Sequence, residues 1–476
     1  MLTLIVFIVS FLLYLSQWVI ANYGIDIALD QLLFHVQMGL MANEGADKSI
    51  IYSFIKNVVV YTVATTFAYL MFSIWLKRFK SQRIWLVLVA STVIGAVVAL
   101  GITARNLHVV DYVQIRLGAD AFSTLYNPPQ GVDIMQPDQP RNLILLYVES
   151  LENKFKNIDE KNLIEPIDSL PGIHVPDFQQ AHGTGWSIAG MVSSQCSIPL
   201  KGFEAVDWNL FLQDSFLPNA WCLSDVLNKL GYHQIFLTGP DIEFAGVNRF
   251  YQTHQFDELI GRDEARKRVP KKNLYSGWGK GLHDDTLLDL AYDVAVQAAK
   301  SPKPFNLTII TTDNHSPHGM ASPRCSTKQK RSSFIGAVEC TSKYVAQFVD
   351  RILKNKNLHN TDIVIMGDHL FMAIPEQISM FGDNRTIYFK YINSRKDQAK
   401  RDQMTHFDVA PSILDSLGLL KDNTQRFGLG YSVFAEIEGF PTHFEQALSL
   451  DILSPSIKYD ELWRQDSNQN KDNVKK

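Results

Sequence analysis

The run IVIMGDH (363–369) decides the fold. Its first part is apolar, β-branched and short, which suits a strand buried on both faces better than a helix. Asp368 and His369 follow directly. Two polar groups placed straight after a buried strand are wasted unless they are used. The same grammar recurs along the chain. Residues 143–148 (LILLYV) end at Glu149, and 235–237 end at Thr238 and Gly239. Residues 307–310 end in TTDNH, closing on His315. Helical patterns lie between these runs, at 285–299 and 338–353. Strands alternating with helices predict an α/β fold with a mostly parallel sheet covered by helices on both faces. In open α/β sheets the ligand site lies at the carboxyl ends of the strands. The polar clusters are therefore expected on one edge.

The stretch HGTGWSIAGMVSSQCSIPL (182–200) belongs at that edge. It opens Gly-rich, reaches Thr184 and Ser187, and runs on as a helix. Unpaired N–H groups and the helix dipole at a first turn favour negative charge. Such a place can hold a phosphoryl group and help ionise a hydroxyl nucleophile. Ser187 is the expected nucleophile, with Thr184 as its rival; a plain N-cap is the alternative reading. Glu149, Asp368 and His369 form a metal-ligand set, and Ser187 can supply a fourth ligand. Oxygen-rich donors with one imidazole suit Mn²⁺ most, with Zn²⁺ or Mg²⁺ as alternatives.

The front of the chain is different. Residues 2–20, 51–75 and 84–102 are long apolar runs, each about the ~20 residues that a bilayer-spanning helix needs. Run one lacks a basic start and a small-residue cleavage site, so it reads as a retained helix. Lys77, Arg78, Lys80 and Arg83 crowd the short link between runs two and three. The positive-inside rule puts that link in the cytoplasm. The amino terminus is then cytoplasmic and everything after the third span of this multi-pass membrane protein is outside, in the periplasm or at the cell exterior. Residues 34–41 read as a short interfacial helix. The expected organisation is a membrane domain at 1–104 and a Pro-rich linker at 105–140. A catalytic domain at 141–455 and a polar tail at 456–476 follow.

Net charge is −4 over 476 residues, which gives no case for a nucleic-acid partner. The cysteines Cys196, Cys222, Cys325 and Cys340 all lie beyond the apolar front. An extracytoplasmic domain permits disulfides. The sequence-nearest pairings, Cys196–Cys222 and Cys325–Cys340, are expected; free buried thiols are the alternative.

Several motifs carry a resemblance. YVESLE (147–152), GTGWSIAGMVSSQCSIPL (183–200), DNHSPHG (313–319), GDHLFM (367–372), THFDVAPSILDSLG (405–418) and FGLGYSVF (427–434) are in this order. Together they resemble the periplasmic-glucan phosphoglycerol transferases. These are relatives of the lipoteichoic-acid synthases within the alkaline phosphatase/sulfatase superfamily. The resemblance implies that Glu149, Asp368 and His369 hold one divalent metal and that Ser187 stands where many relatives have Thr. It implies that Arg249 and His315 contact the phosphoglycerol headgroup, although Val247 replaces an aromatic residue found in some relatives. It implies phosphatidylglycerol as donor, a periplasmic glucan or related envelope glycan as acceptor, and a covalent Ser intermediate. Phosphoethanolamine transfer or phosphodiester hydrolysis is the alternative chemistry. A non-catalytic envelope regulator that binds lipid headgroups is the alternative class. SIPLK (197–201) comes near the sulfatase Cys/Ser-x-Pro-x-Arg signature, but Lys201 stands where Arg is required, so formylglycine chemistry is not expected.

Overall fold

The computed structural model describes residues 1–27, 29, 31–34, 52–202, 214–271, 274, 276–325, 333–421 and 426–464. Most of the expected interfacial helix at 34–41 and residues 465–476 of the tail lie outside these. Among the described residues, three helices are long and apolar enough to cross a membrane: Leu2–Tyr23 (α1), Tyr52–Lys77 and Gln82–Asn106 (α3). The second opens with a π turn and continues as Tyr61–Lys77 (α2). Their outward surfaces stay apolar, so they suit lipid rather than water. Polar side chains join them: Tyr14 to Thr65 at 2.9 Å, Tyr69 to Thr92 at 3.0 Å, and Asn106 to Ser16 at 3.2 Å. Such bonds tie helices that have no hydrophobic drive to associate in lipid.

Beyond the helices stands a seven-stranded sheet. Its strands are β1 (Asn142–Val148), β2 (Ile173–His174), β4 (His233–Thr238), β5 (Glu258–Ile260), β6 (Phe305–Ile310), β7 (Thr361–Gly367) and β8 (Phe389–Ile392). A short outlying strand, β3 (Asp177–Phe178), pairs in parallel with β9 (Gln403–Met404). The order is β2-β8-β7-β1-β6-β4-β5. The centre is parallel, and β8 and β2 join antiparallel at one side. Strand β1 shows why. Leu143, Leu145 and Tyr147 enter one core; Ile144, Leu146 and Val148 enter the other. Alternation between two buried faces requires helices on both. Helices α5 (Ser187–Cys196) and α8 (Val409–Ser416) cover the first core. Helices α6 (Asp284–Ala298) and α7 (Phe334–Lys354) cover the second.

Two stretches are more ordered than their composition suggests. Residues 105–140, expected as a linker, carry helix α4 (Val109–Leu117) and a short helix, Ala121–Leu125. Phe122 is buried, stacks on Tyr126 at 4.8 Å and meets the edge of Tyr459 at 5.3 Å. Bridges Asn127↔Gly428 and Ile134↔Leu420 tie the Pro-rich part to the domain. The expected tail from 456 begins instead as helix α9 (Ile457–Trp463), which buries Tyr459, Leu462 and Trp463. In both stretches scattered aromatic residues find a core that composition averages hide.

Candidate active site

Strand register builds the site. Val148 of β1 lies beside Gly367 of β7 in a parallel ladder. The next residues, Glu149 and Asp368, therefore leave adjacent strands at the same level, about 4.8 Å apart in the sheet direction. On the other side Thr311 follows β6; its N–H donates to Tyr147 and its Oγ accepts from the Glu149 N–H at 3.1 Å. Asn314 then donates to the Glu149 carbonyl at 3.3 Å.

Helix α5 brings the hydroxyl. Gly183, at φ +75°, turns the chain, and Ser187 opens the helix. At Gly190 a Cβ would lie 2.0 Å from the Asp368 carbonyl oxygen, so only glycine lets α5 pack against that strand end. Ser187 Oγ sits 3.4 Å from Glu149 Oε2 and 3.4 Å from His369 Nε2. His369 Nε2 is 3.4 Å from Glu149 Oε1 and 3.5 Å from Asp368 Oδ2. Ser187 is half-buried; the other three are buried.

These residues fit a cation. Ligand atoms of Glu149, Asp368 and His369 lie within 4.8 Å of one another. Donors at about 2.1 Å around a tetrahedral ion stand about 3.4 Å apart, close to the separations here. Asp368 Oδ1 accepts from the N–H groups of Ser150 at 2.8 Å and His369 at 3.0 Å. Among the described residues its buried Oδ2 meets no hydrogen-bond donor. His369 Nδ1 donates to the Leu370 carbonyl at 2.7 Å, which leaves Nε2 bare toward the carboxylates. Ser150 Oγ donates to Glu149 Oε1 at 2.7 Å and orients it. Electrostatics agree. Burial and then the Glu149 charge push Asp368 up to about 6. Burial opposes protonation of His369, but the Asp368 and Glu149 charges outweigh it and raise its pKa. Clustered negative charge without a cation has these consequences.

The other expected residues fall into place differently. Thr184 is buried and its hydroxyl donates to the Ala181 carbonyl at 2.7 Å; no hydrogen bond joins it to the carboxylates. His315 follows β6, its Nδ1 donating to the Ser316 carbonyl at 2.8 Å. Desolvation lowers its pKa to about 4, and its neighbour Asn314, bonded to the Glu149 carbonyl, brings it to the same sheet edge as the cluster. Arg249 is half-buried on the short helix Val247–Thr253, where burial lowers its pKa against the opposing Asp214 charge. The disulfides Cys196–Cys222 and Cys325–Cys340 are both present. The first pins the far end of α5.

One residue went unnoticed in the sequence. Trp278 stacks on His315 at 4.2 Å and meets Phe244 edge-on at 5.6 Å. Its only signal was an aromatic residue between glycines in SGWGK (276–280). SIPLK has a structural use. Ser197 lies past the opposite end of α5, about 15 Å from Ser187 by helix rise, and its Oγ donates to the Phe407 carbonyl. Lys201 Nζ is buried between the rings of Phe122 and Tyr459 and donates to the Ser454 carbonyl at 2.7 Å.

A second segment reaches the site from the membrane side. The Ile25 N–H donates to the Ala373 carbonyl at 3.1 Å, and Phe34 packs on Trp186 with ring centres 5.6 Å apart. Asp26 pairs with Arg385 at 3.2 Å. Arg385 also holds the buried Glu152, its Nε 3.2 Å from both carboxylate oxygens.

Known proteins resemble this chain. The family model described as Sulfatase matches residues 141–419. The chain is 33% identical over 319 residues to phosphoglycerol transferase I of Escherichia coli, covering 64% of this chain and 40% of that protein. It thus spans about two fifths of the length of the curated relatives it matches. Among solved structures, the lipoteichoic acid synthase LtaP of Listeria monocytogenes aligns with a TM-score of 0.50 at 17% identity, covering 64% of this chain and 79% of that one. An alkaline phosphatase superfamily protein of Vibrio parahaemolyticus aligns with a TM-score of 0.50 at 19% identity, covering 75% and 96%. With a matched region spanning the sheet and both halves of the carboxylate–imidazole cluster, the chain belongs to the sulfatase family.

Proposed function

We propose that this chain is a membrane-anchored phosphoglycerol transferase. It moves glycerophosphate from phosphatidylglycerol to a hydroxyl of a periplasmic glucan or related envelope glycan. One observation carries the reading: the Ser187 hydroxyl, at a helix N-terminus, lies 3.4 Å from both Glu149 and His369 beside the unpartnered Asp368 Oδ2. Glu149, Asp368, His369 and Ser187 would hold one divalent cation, Mn²⁺ by preference. When bound, it supplies charge stabilisation to a phosphoryl oxygen and lowers the hydroxyl pKa. Identity to phosphoglycerol transferase I supports the choice of group.

The chain's own residues account for two displacements. In the first, a bond forms between Ser187 Oγ and phosphorus, and the bond from phosphorus to the diacylglycerol oxygen breaks. The Ser187 proton ends on diacylglycerol. In the second, the acceptor oxygen bonds to phosphorus, the Ser187 Oγ–phosphorus bond breaks, and Ser187 regains a proton. Two in-line steps retain configuration. The N–H groups opening α5 face the phosphoryl charge. His315, stacked on Trp278, and Arg249 are proposed to hold the glycerol headgroup. Phe244, Met320 and Ile378, on the segments that follow β4, β6 and β7, are exposed and suit a lipid donor.

The membrane helices would confine the site to the leaflet where the donor lies, which raises its effective concentration. The basic link between α2 and α3 supports an inner-membrane protein with its catalytic domain in the periplasm. Two disulfides agree with an oxidising compartment.

The test uses the full chain, Mn²⁺ and phosphatidylglycerol radiolabelled in its headgroup glycerol, without acceptor, followed by digestion and mass mapping. A glycerophosphoryl adduct on Ser187, absent in Ser187→Ala, is expected. An adduct formed instead from phosphatidylethanolamine would move the reading to phosphoethanolamine transfer. No adduct and no bound metal would overturn the enzymatic reading.

A further inference from the structure

Helix α4 (Val109–Leu117) starts three residues after Asn106, the last residue of the membrane-length helix α3. Nothing in its sequence is long enough to span. Yet Val110, Val113 and Leu117 are 72%, 48% and 82% exposed. At 100° per residue these three side chains fall within about 60° of arc. Gln114 and Arg116 flank the stripe. Ile115, about 140° of arc from Val110, packs instead against the core of the catalytic domain. A nine-residue helix thus turns one face to protein and an apolar stripe away from it.

Its surroundings fix where that stripe lies. Asn106 bonds to Ser16 of α1, and His108 Nε2 lies 3.1 Å from the Ile25 carbonyl. Both ties join α3 and the turn after it to α1 and the turn after it, so the two exits from the apolar layer are level. The far end of α4 meets the catalytic domain, where Gly118 abuts Ser454 and Asp451. We propose that α4 is an interfacial helix whose Val110–Val113–Leu117 stripe lies in the surface of the lipid bilayer. Helices of this kind bury their apolar face at the headgroup–acyl boundary. The occupant is lipid because the helix emerges directly from a span and because its opposite face is already taken by the chain. The catalytic domain is then carried at a set height above the leaflet instead of on a free tether. This inference rests on the membrane reading given above and is independent of the donor and the chemistry.

All four native cysteines are disulfide-bonded, so an added cysteine is the only free thiol. Val110→Cys, Val113→Cys and Leu117→Cys are made separately in the full chain, spin-labelled, and reconstituted in phosphatidylcholine–phosphatidylglycerol vesicles. Accessibility to oxygen, which partitions into lipid, is compared with accessibility to a water-soluble nickel chelate. Asp263→Cys, on an exposed helix of the catalytic domain, is the aqueous reference. The oxygen-to-nickel ratio at all three stripe positions is expected to be several-fold above that reference. A ratio equal to it would overturn the proposal. Labels shielded from both reagents would overturn it too, in favour of a protein partner such as a second copy. The measurement needs no turnover, so a failed Ser187 adduct leaves its outcome unaffected.

Discussion

Lys201 takes an ammonium group out of water and gives it two aromatic faces and the Ser454 carbonyl in exchange. Burial drives its pKa down to about 7 against the pull of Asp120 and Asp460. The folded value lies below the unfolded value near 10.5, so between them the unfolded chain binds more protons. Stability from this group therefore rises as pH climbs through that window. Melting the full chain and its Lys201→Met variant in detergent from pH 7 to 10 checks this. The Tm of the wild type minus that of the variant is expected to rise with pH; a constant difference would contradict the assignment. At this scale the sequence showed only that Lys201 replaces an arginine. Its cage is made by Phe122 and Tyr459, which lie far away along the chain, so the use of Lys201 was not legible. Glu149, Asp368 and His369 were legible as strand-end groups, because Glu149 follows one apolar run and Asp368 and His369 together follow another. Trp278 was not, because it belongs to a loop whose neighbours are set by packing.

Helix α5 is positioned at both ends. Its first turn presents Ser187, its last residue is held by the Cys196–Cys222 bridge, and Gly190 lets its middle touch the Asp368 backbone. Gly190→Ala puts a methyl carbon 2.0 Å from the Asp368 carbonyl oxygen, where neither backbone can yield locally. The helix must move away from β7. We expect a folded chain whose Mn²⁺ affinity, read by isothermal titration, falls by about ten- to a hundredfold, the range seen when the supports of metal ligands are lost. Unchanged affinity would mean that α5 does not set the distance between Ser187 and Asp368. Element type was readable here, since a Gly-rich turn before an apolar run marks a helix start. The approach to β7 was not, because a glycine needed for helix–strand contact looks in sequence like any other glycine.

Across the whole molecule, Arg385 connects the turn after the first span to the catalytic domain. Its two partners differ in burial, and the difference sets the size of each effect. Glu152 is fully buried, and burial holds its pKa above the usual carboxylate range despite Arg385. Removing Arg385 strands a buried carboxyl, so Arg385→Met is expected to cost about 3–5 kcal/mol. Asp26 is about half exposed, with 54% of its side chain accessible. Its pairing is screened, so Asp26→Ala is expected to cost no more than about 1 kcal/mol. Denaturant unfolding of the full chain in micelles measures both; equal losses would contradict this ranking. The sequence by itself determined what local pattern can carry: three apolar stretches of spanning length, strands buried on both faces, helices between them, and polar groups at strand ends. Each of these is a property of one short segment and its solvent preference. Only the tertiary structure decided that 105–140 and 457–463 pack as part of the fold, that Thr184 serves its own turn while Ser187 meets the carboxylates, and that Lys201 joins distant segments. Those outcomes depend on register and packing between segments far apart in the chain, where the energy of a contact exists only once both sides are in place.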